Sequence, residues 1–207
     1  MFLRVLISSF IILAGCASQP QVRSDAVEPI DQSEYTRLIG KNTAKTSRYS
    51  GFYQTFQADV TILTVEVQTS GLRRKAQLLQ WSPGQYQGER DKVLQEAGAY
   101  AKFFLRFFSP DKEHDDLSKS KSIWKVYLDY GGSRFEGQVK KLSDKLIELQ
   151  TLYPHMDRFS TPYEITFNVP MNSVEQGPGK VTLTSSLGTA EFSFPNGRNN
   201  SSVKDAP

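Results

Sequence analysis

The chain of 207 residues contains one cysteine, Cys16, and two histidines, His114 and His155. A single cysteine cannot form an intramolecular disulfide, and two histidines without close spacing or an HExxH pattern do not make a zinc site. The sequence also lacks the Gly-x-Ser-x-Gly turn that carries the nucleophile of α/β-hydrolases. We therefore predict no catalytic residue, no metal site and no cofactor.

The chain also lacks a strong excess of charge of either sign. It has 25 Lys and Arg against 22 Asp and Glu, for a formal net charge of +3, and no block of five or six like charges. This balance argues against nucleic acid as a partner, because such binding depends on concentrated positive charge. The length is sufficient for one domain with an ordinary hydrophobic core.

The N-terminus has the layout of a secretory signal peptide. Residues 1–4 form a short segment that carries one positive charge, and residues 5–13 are apolar except for two serines. The small residues Ala14 and Gly15 then precede Cys16. An apolar run of about nine residues is too short to cross a bilayer, since a spanning helix needs about 20. The sequence therefore predicts that residues 1–15 are removed after export.

Leu13-Ala14-Gly15-Cys16 resembles the lipobox of bacterial lipoproteins. The resemblance implies that a signal peptidase recognises the first three of these residues and cuts before Cys16. It also implies that the Cys16 thiol is acylated and holds the protein in a membrane of the cell envelope. Ala17 follows the cysteine, whereas enteric lipoproteins with Asp there tend to stay in the inner membrane, so we expect the outer membrane. An ordinary cleaved secreted protein is the alternative.

Composition divides the rest of the chain. Residues 16–47 are polar, with few large apolar side chains, and predict a lipidated cysteine followed by a tether; a short docking helix around Tyr35 and Ile39 is the alternative there. Residues 196–207 predict a disordered tail. Between them we expect a strand and helical segment over residues 48–100 and a β-sandwich over residues 101–195.

Residues 48–100 combine two periodicities. Alternation over residues 51–62 predicts a strand to about residue 60 that places Phe52 on the same face as Phe56, and the spacing of later apolar residues predicts a helix to Leu79. Ser82-Pro83-Gly84-Gln85 then has the pattern of a capping box and predicts a second helix that ends near Tyr100.

Period-two patterns dominate from Phe103 onward. They predict strands over residues 103–108, 123–130, 134–136, 162–169, 181–184 and 190–194, whereas residues 142–153 fit a strand or a short helix. We therefore predict an α+β fold, in which an N-terminal strand and two-helix segment precedes a mainly antiparallel β-sandwich. The sandwich generically resembles immunoglobulin-like modules, and this resemblance implies no function.

The densest group of oxygen ligands follows the first of these strands. Calcium takes six to eight oxygen ligands from flexible loops, so this group is a weak candidate for a calcium site. The spacing does not match an EF-hand, and we expect a solvated surface loop instead. The candidate ligands are Asp111, Glu113, Asp115 and Asp116.

Aromatic side chains crowd into residues 103–135. We expect most of them in the core, with Tyr127 and one member of each Phe pair as an alternative contact surface. The sequence thus predicts a non-enzymatic, lipid-anchored envelope protein that binds a protein or a glycan. The alternatives are an envelope hydrolase, which a deep pocket of converging polar groups would favour, and a calcium-dependent binding module. An exposed apolar groove or sheet edge would favour partner binding.

Overall fold

The computed structural model of the protein describes residues 27–194. The predictions for Cys16, for the signal peptide and for the C-terminal tail lie outside this range. The helices are α1 (Gln32–Lys41), α2 (Val65–Leu79), α3 (Pro83–Ala97), α4 (Leu146–Leu152) and α5 (Met171–Val174). The strands are β1 (Thr43–Ser50), β2 (Tyr53–Ile62), β3 (Ala101–Phe108), β4 (Lys125–Tyr130), β5 (Ser133–Glu136), β6 (Gln138–Lys141), β7 (Thr161–Phe167), β8 (Gly179–Ser185) and β9 (Gly188–Phe194).

Two antiparallel sheets form a sandwich, which confirms the predicted α+β fold. One sheet has the order β1-β2-β3-β7-β6 and the other the order β5-β4-β8-β9. The predicted boundary between residues 100 and 101 is wrong, because β2 pairs with β3 across it, with Thr61 opposite Phe104. Helices α2 and α3 separate these two strands along the chain but not in the sheet.

The main core lies between the two sheets. Alternate residues of β2 and β3, such as Phe56 and Phe107, face Val126 and Leu128 of the opposite sheet, and all are buried. Trp124 makes edge contacts with Phe56 and Phe107 at 5.0 Å between ring centroids. Edge-to-face pairs of this kind add about 0.5–1.5 kcal/mol to the stabilisation from burial. The prediction that these aromatic residues form the core is confirmed.

A smaller core lies on the outer face of the five-stranded sheet. There Phe104 of β3 packs with Tyr35 and Ile39 of α1, Val67 of α2 and Leu149 of α4. The tether prediction is therefore wrong from residue 32 onward, whereas the alternative of a docking helix is confirmed. The N-cap of this helix, α1, is Asp31, whose carboxylate accepts hydrogen bonds from the N–H groups of the first turn.

Local signals determine the start of the central helices. Ser82 and Gln85 exchange hydrogen bonds at the start of α3, with 3.2 Å from the Gln85 N–H to Ser82 Oγ and 2.8 Å from the Ser82 N–H to Gln85 Oε1. This is the predicted capping box. The ambiguous segment at residues 142–153 contains the short helix α4, which lies beside α2 and so builds the site described next.

Candidate functional site

A groove lies between the C-terminal half of α2 and helix α4; we refer to it as the α2–α4 groove. It has a volume of about 280 Å³ and continues along α2 into a second cavity of about 150 Å³. Lys75 and Leu152 line both cavities, so the two form one surface depression. The remaining apolar lining of the groove is Leu78, Leu79, Trp81 and Leu149.

The walls of this groove expose large apolar side chains. Leu78 and Leu79, in the last turn of α2, are 52% and 65% exposed. Ile147 of α4 is 68% exposed but is not among the residues that line the groove. Helix α2 ends directly after Leu79 at Gln80, which has a left-handed backbone. Neighbouring exposed apolar side chains of this size are typical of surfaces that bind another molecule.

The floor of the groove is held by contacts between three helices. The Tyr35 hydroxyl of α1 donates a hydrogen bond to the Leu152 carbonyl at 3.0 Å and lies against Gly71 of α2. Burial raises the pKa of Tyr35, so the hydroxyl keeps its proton and its donor function. A Cβ at Gly71 would lie 3.3 Å from this oxygen, so glycine permits the close approach of α1 and α2. The groove is therefore pre-formed.

The polar groups around the groove suit binding better than catalysis. Lys75 lies on the α2 side, and Asp144 and Glu148 lie on the α4 side. The lining residues include no histidine, cysteine or serine, and the Thr151 hydroxyl donates to the Ile147 carbonyl within α4. A nucleophile next to a general base is the usual requirement for covalent hydrolysis. This lining does not provide such a pair.

A buried ion network lies elsewhere on the same face of the five-stranded sheet. Arg106 of β3 donates to Asp59 Oδ2 at 3.1 Å through Nη1 and to Asp157 Oδ2 at 2.5 Å through Nη2. Burial raises the pKa of Asp59 despite the nearby charges of Arg106 and Lys45. Burial also opposes ionisation of Asp157, but hydrogen bonds from Arg106 and from the backbone lower its pKa.

This network has a structural function. Every guanidinium nitrogen of Arg106 donates to a carboxylate, and Asp157 also accepts the backbone N–H groups of Phe159 and Ser160. The ion pairs therefore tie the segment before β7 to the sheet. Perturbed pKa values indicate functional sites only in part, since structural ion pairs perturb them as well.

His155 lies near this network. Burial lowers the pKa of His155 to about 4, and the positive charges of Lys45 and Arg106 add to this effect. Within residues 27–194, no hydrogen-bond partner contacts its Nε2 atom. The ring makes an edge contact with Phe104, which stacks on Tyr153 at 3.6 Å. The neutral imidazole is thus part of the smaller core.

The depressed pKa of His155 predicts loss of stability in mild acid. Between about pH 6.5 and pH 4 the unfolded chain binds a proton at this residue and the folded chain does not, so the free energy of unfolding falls as the pH falls. Melting temperatures measured from pH 7 to pH 4.5 should fall less steeply for His155→Asn than for the wild type. Equal slopes for His155→Asn and the wild type would contradict the prediction.

The acidic loop over residues 111–116, which we expected to be a solvated surface loop, is only partly exposed. A 3₁₀ turn at Lys112–His114 follows Asp111, and the Asp115 side chain is 6% exposed. Its carboxylate accepts hydrogen bonds from the Thr161 and Tyr163 hydroxyls of β7. The expectation of a solvated turn is therefore wrong for Asp115, because partners distant in sequence bury it.

The other candidate calcium ligands point to different neighbours. Asp111 caps the 3₁₀ turn, the Asp116 carboxylate accepts from the Ser122 hydroxyl at 3.1 Å, and Glu113 is exposed. Over residues 27–194, no group of three or more acidic, histidine or cysteine side chains is arranged to hold a metal ion. The loop connects β3 to β4 and is anchored to β7 through Asp115.

Sequence patterns missed the residues of the α2–α4 groove. Leu79 belonged to a predicted helical stripe, and nothing in the sequence placed it near Leu149 of α4. Of the aromatic residues proposed as an alternative contact surface, Tyr127 and Phe108 are half-buried, with Arg134 over Tyr127 and Lys112 over Phe108. Both members of the other pair, Phe103 and Phe104, are buried. Phe52, predicted on the core face of its strand, is fully exposed in the β1–β2 turn.

Comparison with protein-family models, with curated proteins and with solved structures gives no match for this chain. None of the helices within residues 27–194 is long and apolar enough to cross a membrane.

Proposed function

We propose that the protein is a non-enzymatic, lipid-anchored module of the bacterial cell envelope that binds a partner protein in the α2–α4 groove. The observation that carries the proposal is the exposure of Leu78 and Leu79 beside a pre-formed floor. Attachment through acylated Cys16, in the outer membrane, is the part implied by the lipobox.

The lining of the groove favours an apolar protein segment over a glycan. Glycans present many hydroxyl groups, which need polar partners, whereas leucine side chains form most of the apolar lining of the groove. A helix with an apolar stripe commonly binds such a groove through residues spaced three or four apart. Charged residues beside that stripe would meet Lys75 on one side and Asp144 and Glu148 on the other.

The two alternatives have less support. A hydrolase needs converging polar groups, and the lining of the α2–α4 groove offers none that combine a nucleophile with a base. A calcium-dependent module needs several free carboxylates, and Asp115 is already engaged by Thr161 and Tyr163. Neither alternative is needed to explain the groove.

Cross-linking in living cells tests partner binding. A photoreactive phenylalanine analogue at Leu78, which lines the groove, should give one adduct of discrete mass, whereas the same analogue at Tyr100, which is 44% exposed, should not. Leu79→Asp should remove the adduct because a carboxylate in an apolar contact is costly to desolvate. Absence of the adduct, or its persistence in Leu79→Asp, would reject the groove as the binding surface.

Membrane fractionation tests the anchor separately. Cys16→Ser should retain its signal peptide or appear in the soluble fraction, because burial of acyl chains contributes about 0.8 kcal/mol per CH₂ group and several chains are needed for stable attachment. Density-gradient separation should place the wild type with the outer membrane. A processed Cys16→Ser protein that stays on membranes in high salt would reject lipid anchoring.

A further inference from the structure

The β1–β2 hairpin ends in three exposed aromatic side chains, Tyr49, Phe52 and Tyr53, which we call the aromatic tip. They are 62%, 103% and 81% exposed. Gly51, with a positive φ of 60°, forms the turn between them. Three large aromatic side chains within five residues thus lie in solvent, although the same strand contributes the fully buried Phe56 only three residues later.

The aromatic tip projects beyond the sheet that supports it. Strand β2 pairs with β3 only from Gln57, opposite Phe108, so residues 53–56 of β2 pair with β1 alone. The end of the hairpin is therefore a two-stranded ribbon that no third strand extends. Such a convex ribbon cannot enclose a ligand, but it can enter a soft surface or a cavity of another molecule.

The charge near the end of the hairpin is positive, and the one carboxylate in its two strands, Asp59 of β2, is buried. Residues 43–58 contain Lys45 and Arg48 and no Asp or Glu. Lys45 lies 3.6 Å from the buried Asp59 and its side chain is still 58% exposed. Positive charge behind exposed aromatic side chains suits the region of anionic lipid headgroups, where tyrosine is enriched and basic residues are attracted.

We propose that the aromatic tip inserts into the headgroup region of an anionic bilayer and so orients the domain on the membrane. The proposal goes beyond partner binding but rests on the proposed anchor for its choice of membrane. The chain between Cys16 and Val27 is long enough for this contact. About eleven residues reach at most about 40 Å when extended, and the eight-residue strand β1 is about 27 Å long.

The test holds the chain on a membrane without using Cys16. A chain that begins at Ala17 retains every described residue, and a hexahistidine tag at its N-terminus binds nickel-chelating lipid in vesicles of phosphatidylcholine and phosphatidylglycerol. Phe52→Cys then carries an environment-sensitive fluorophore on its single thiol. Tyr100→Cys is the matched control, because Tyr100 directly precedes β3 and so lies at the end of that strand opposite Phe108.

We expect brominated lipids to quench the label at residue 52 at least fivefold more than the label at residue 100. Replacing both Tyr49 and Tyr53 by serine should reduce the quenching at residue 52 at least threefold. Equal quenching at the two positions, or no quenching at residue 52, would overturn the proposal. A change in the fluorescence of the label at residue 52 that occurs only after a protein is added would also overturn the proposal, in favour of a protein partner.

These outcomes are independent of the proposed function. The tag replaces the acyl chains, so a failure of lipidation at Cys16 leaves the fluorescence result unchanged. The α2–α4 groove is likewise untouched by the labels, since neither Phe52 nor Tyr100 lines it.

Discussion

Arg106→Met is expected to lower the free energy of unfolding by about 3–5 kcal/mol, the usual cost of removing one partner of a buried ion pair. Arg106 is 8% exposed and Asp59 is 2% exposed. Without the guanidinium, the Asp59 carboxylate stays buried, and only Lys45 remains near it, at 3.6 Å. Asp157 also loses the contact that ties its loop to the sheet.

Urea unfolding at pH 8 and pH 5 measures this effect. The loss should be smaller at pH 5, because burial already raises the pKa of Asp59 and removal of Arg106 raises it further, so that protonation removes the uncompensated charge. Lys125→Met is the matched control, since the exposed cross-strand pair of Lys125 and Glu136 is screened by solvent and contributes little to stability. A loss below about 1 kcal/mol for Arg106→Met would contradict the prediction.

The double variant Arg106→Met/Asp59→Leu tests whether the loss of stability in Arg106→Met comes from the unpaired charge of Asp59. Replacing a buried ion pair by apolar residues of similar size is often neutral. The double variant should therefore recover most of the stability that Arg106→Met loses. If the double variant is as unstable as the single one, packing rather than charge explains the loss.

Elements with local signals were predictable from the sequence. The capping box at Ser82 and the glycine pair after Tyr130 each act within a few residues, so α3 and the β4–β5 hairpin lie where the patterns placed them. Strand β1 was not predicted, because its sequence contains no such local signal. It is an edge strand whose Lys45 and Arg48 side chains need not enter the core, so its composition is that of a polar tether.

The candidate surfaces were less predictable because they depend on contacts distant in sequence. The α2–α4 groove joins Leu79 to Leu149, and Asp115 is buried by Thr161 and Tyr163 of β7. No spacing rule connects such residues. The position of Phe52 was predicted wrongly for a different reason. The period-two pattern of β2 extends toward the N-terminus into the turn, although the strand itself begins only at Tyr53.

Gly137→Ala is expected to lower the free energy of unfolding by about 1–3 kcal/mol, the usual cost of overpacking a core. Gly137 is the single residue between β5 and β6, where the chain passes from one sheet to the other. Its N–H donates to the Val126 carbonyl at 2.8 Å. A Cβ there would lie 2.8 Å from Ile165 Cγ2 and from Phe167 Cε1, which is too close for either buried side chain.

Gly88→Ala in α3 makes the matched control, because the same chemical change should have the opposite sign. Nothing lies within 4 Å of a Cβ at Gly88, and alanine is favoured over glycine in a helix by about 1 kcal/mol. Thermal unfolding should show a lower melting temperature for Gly137→Ala and a higher one for Gly88→Ala, with about 2–4 °C for each kcal/mol in a domain of this size. An unchanged melting temperature for Gly137→Ala would mean that β6 can move away from Ile165 and Phe167. The passage between the sheets would then not depend on close packing at this glycine.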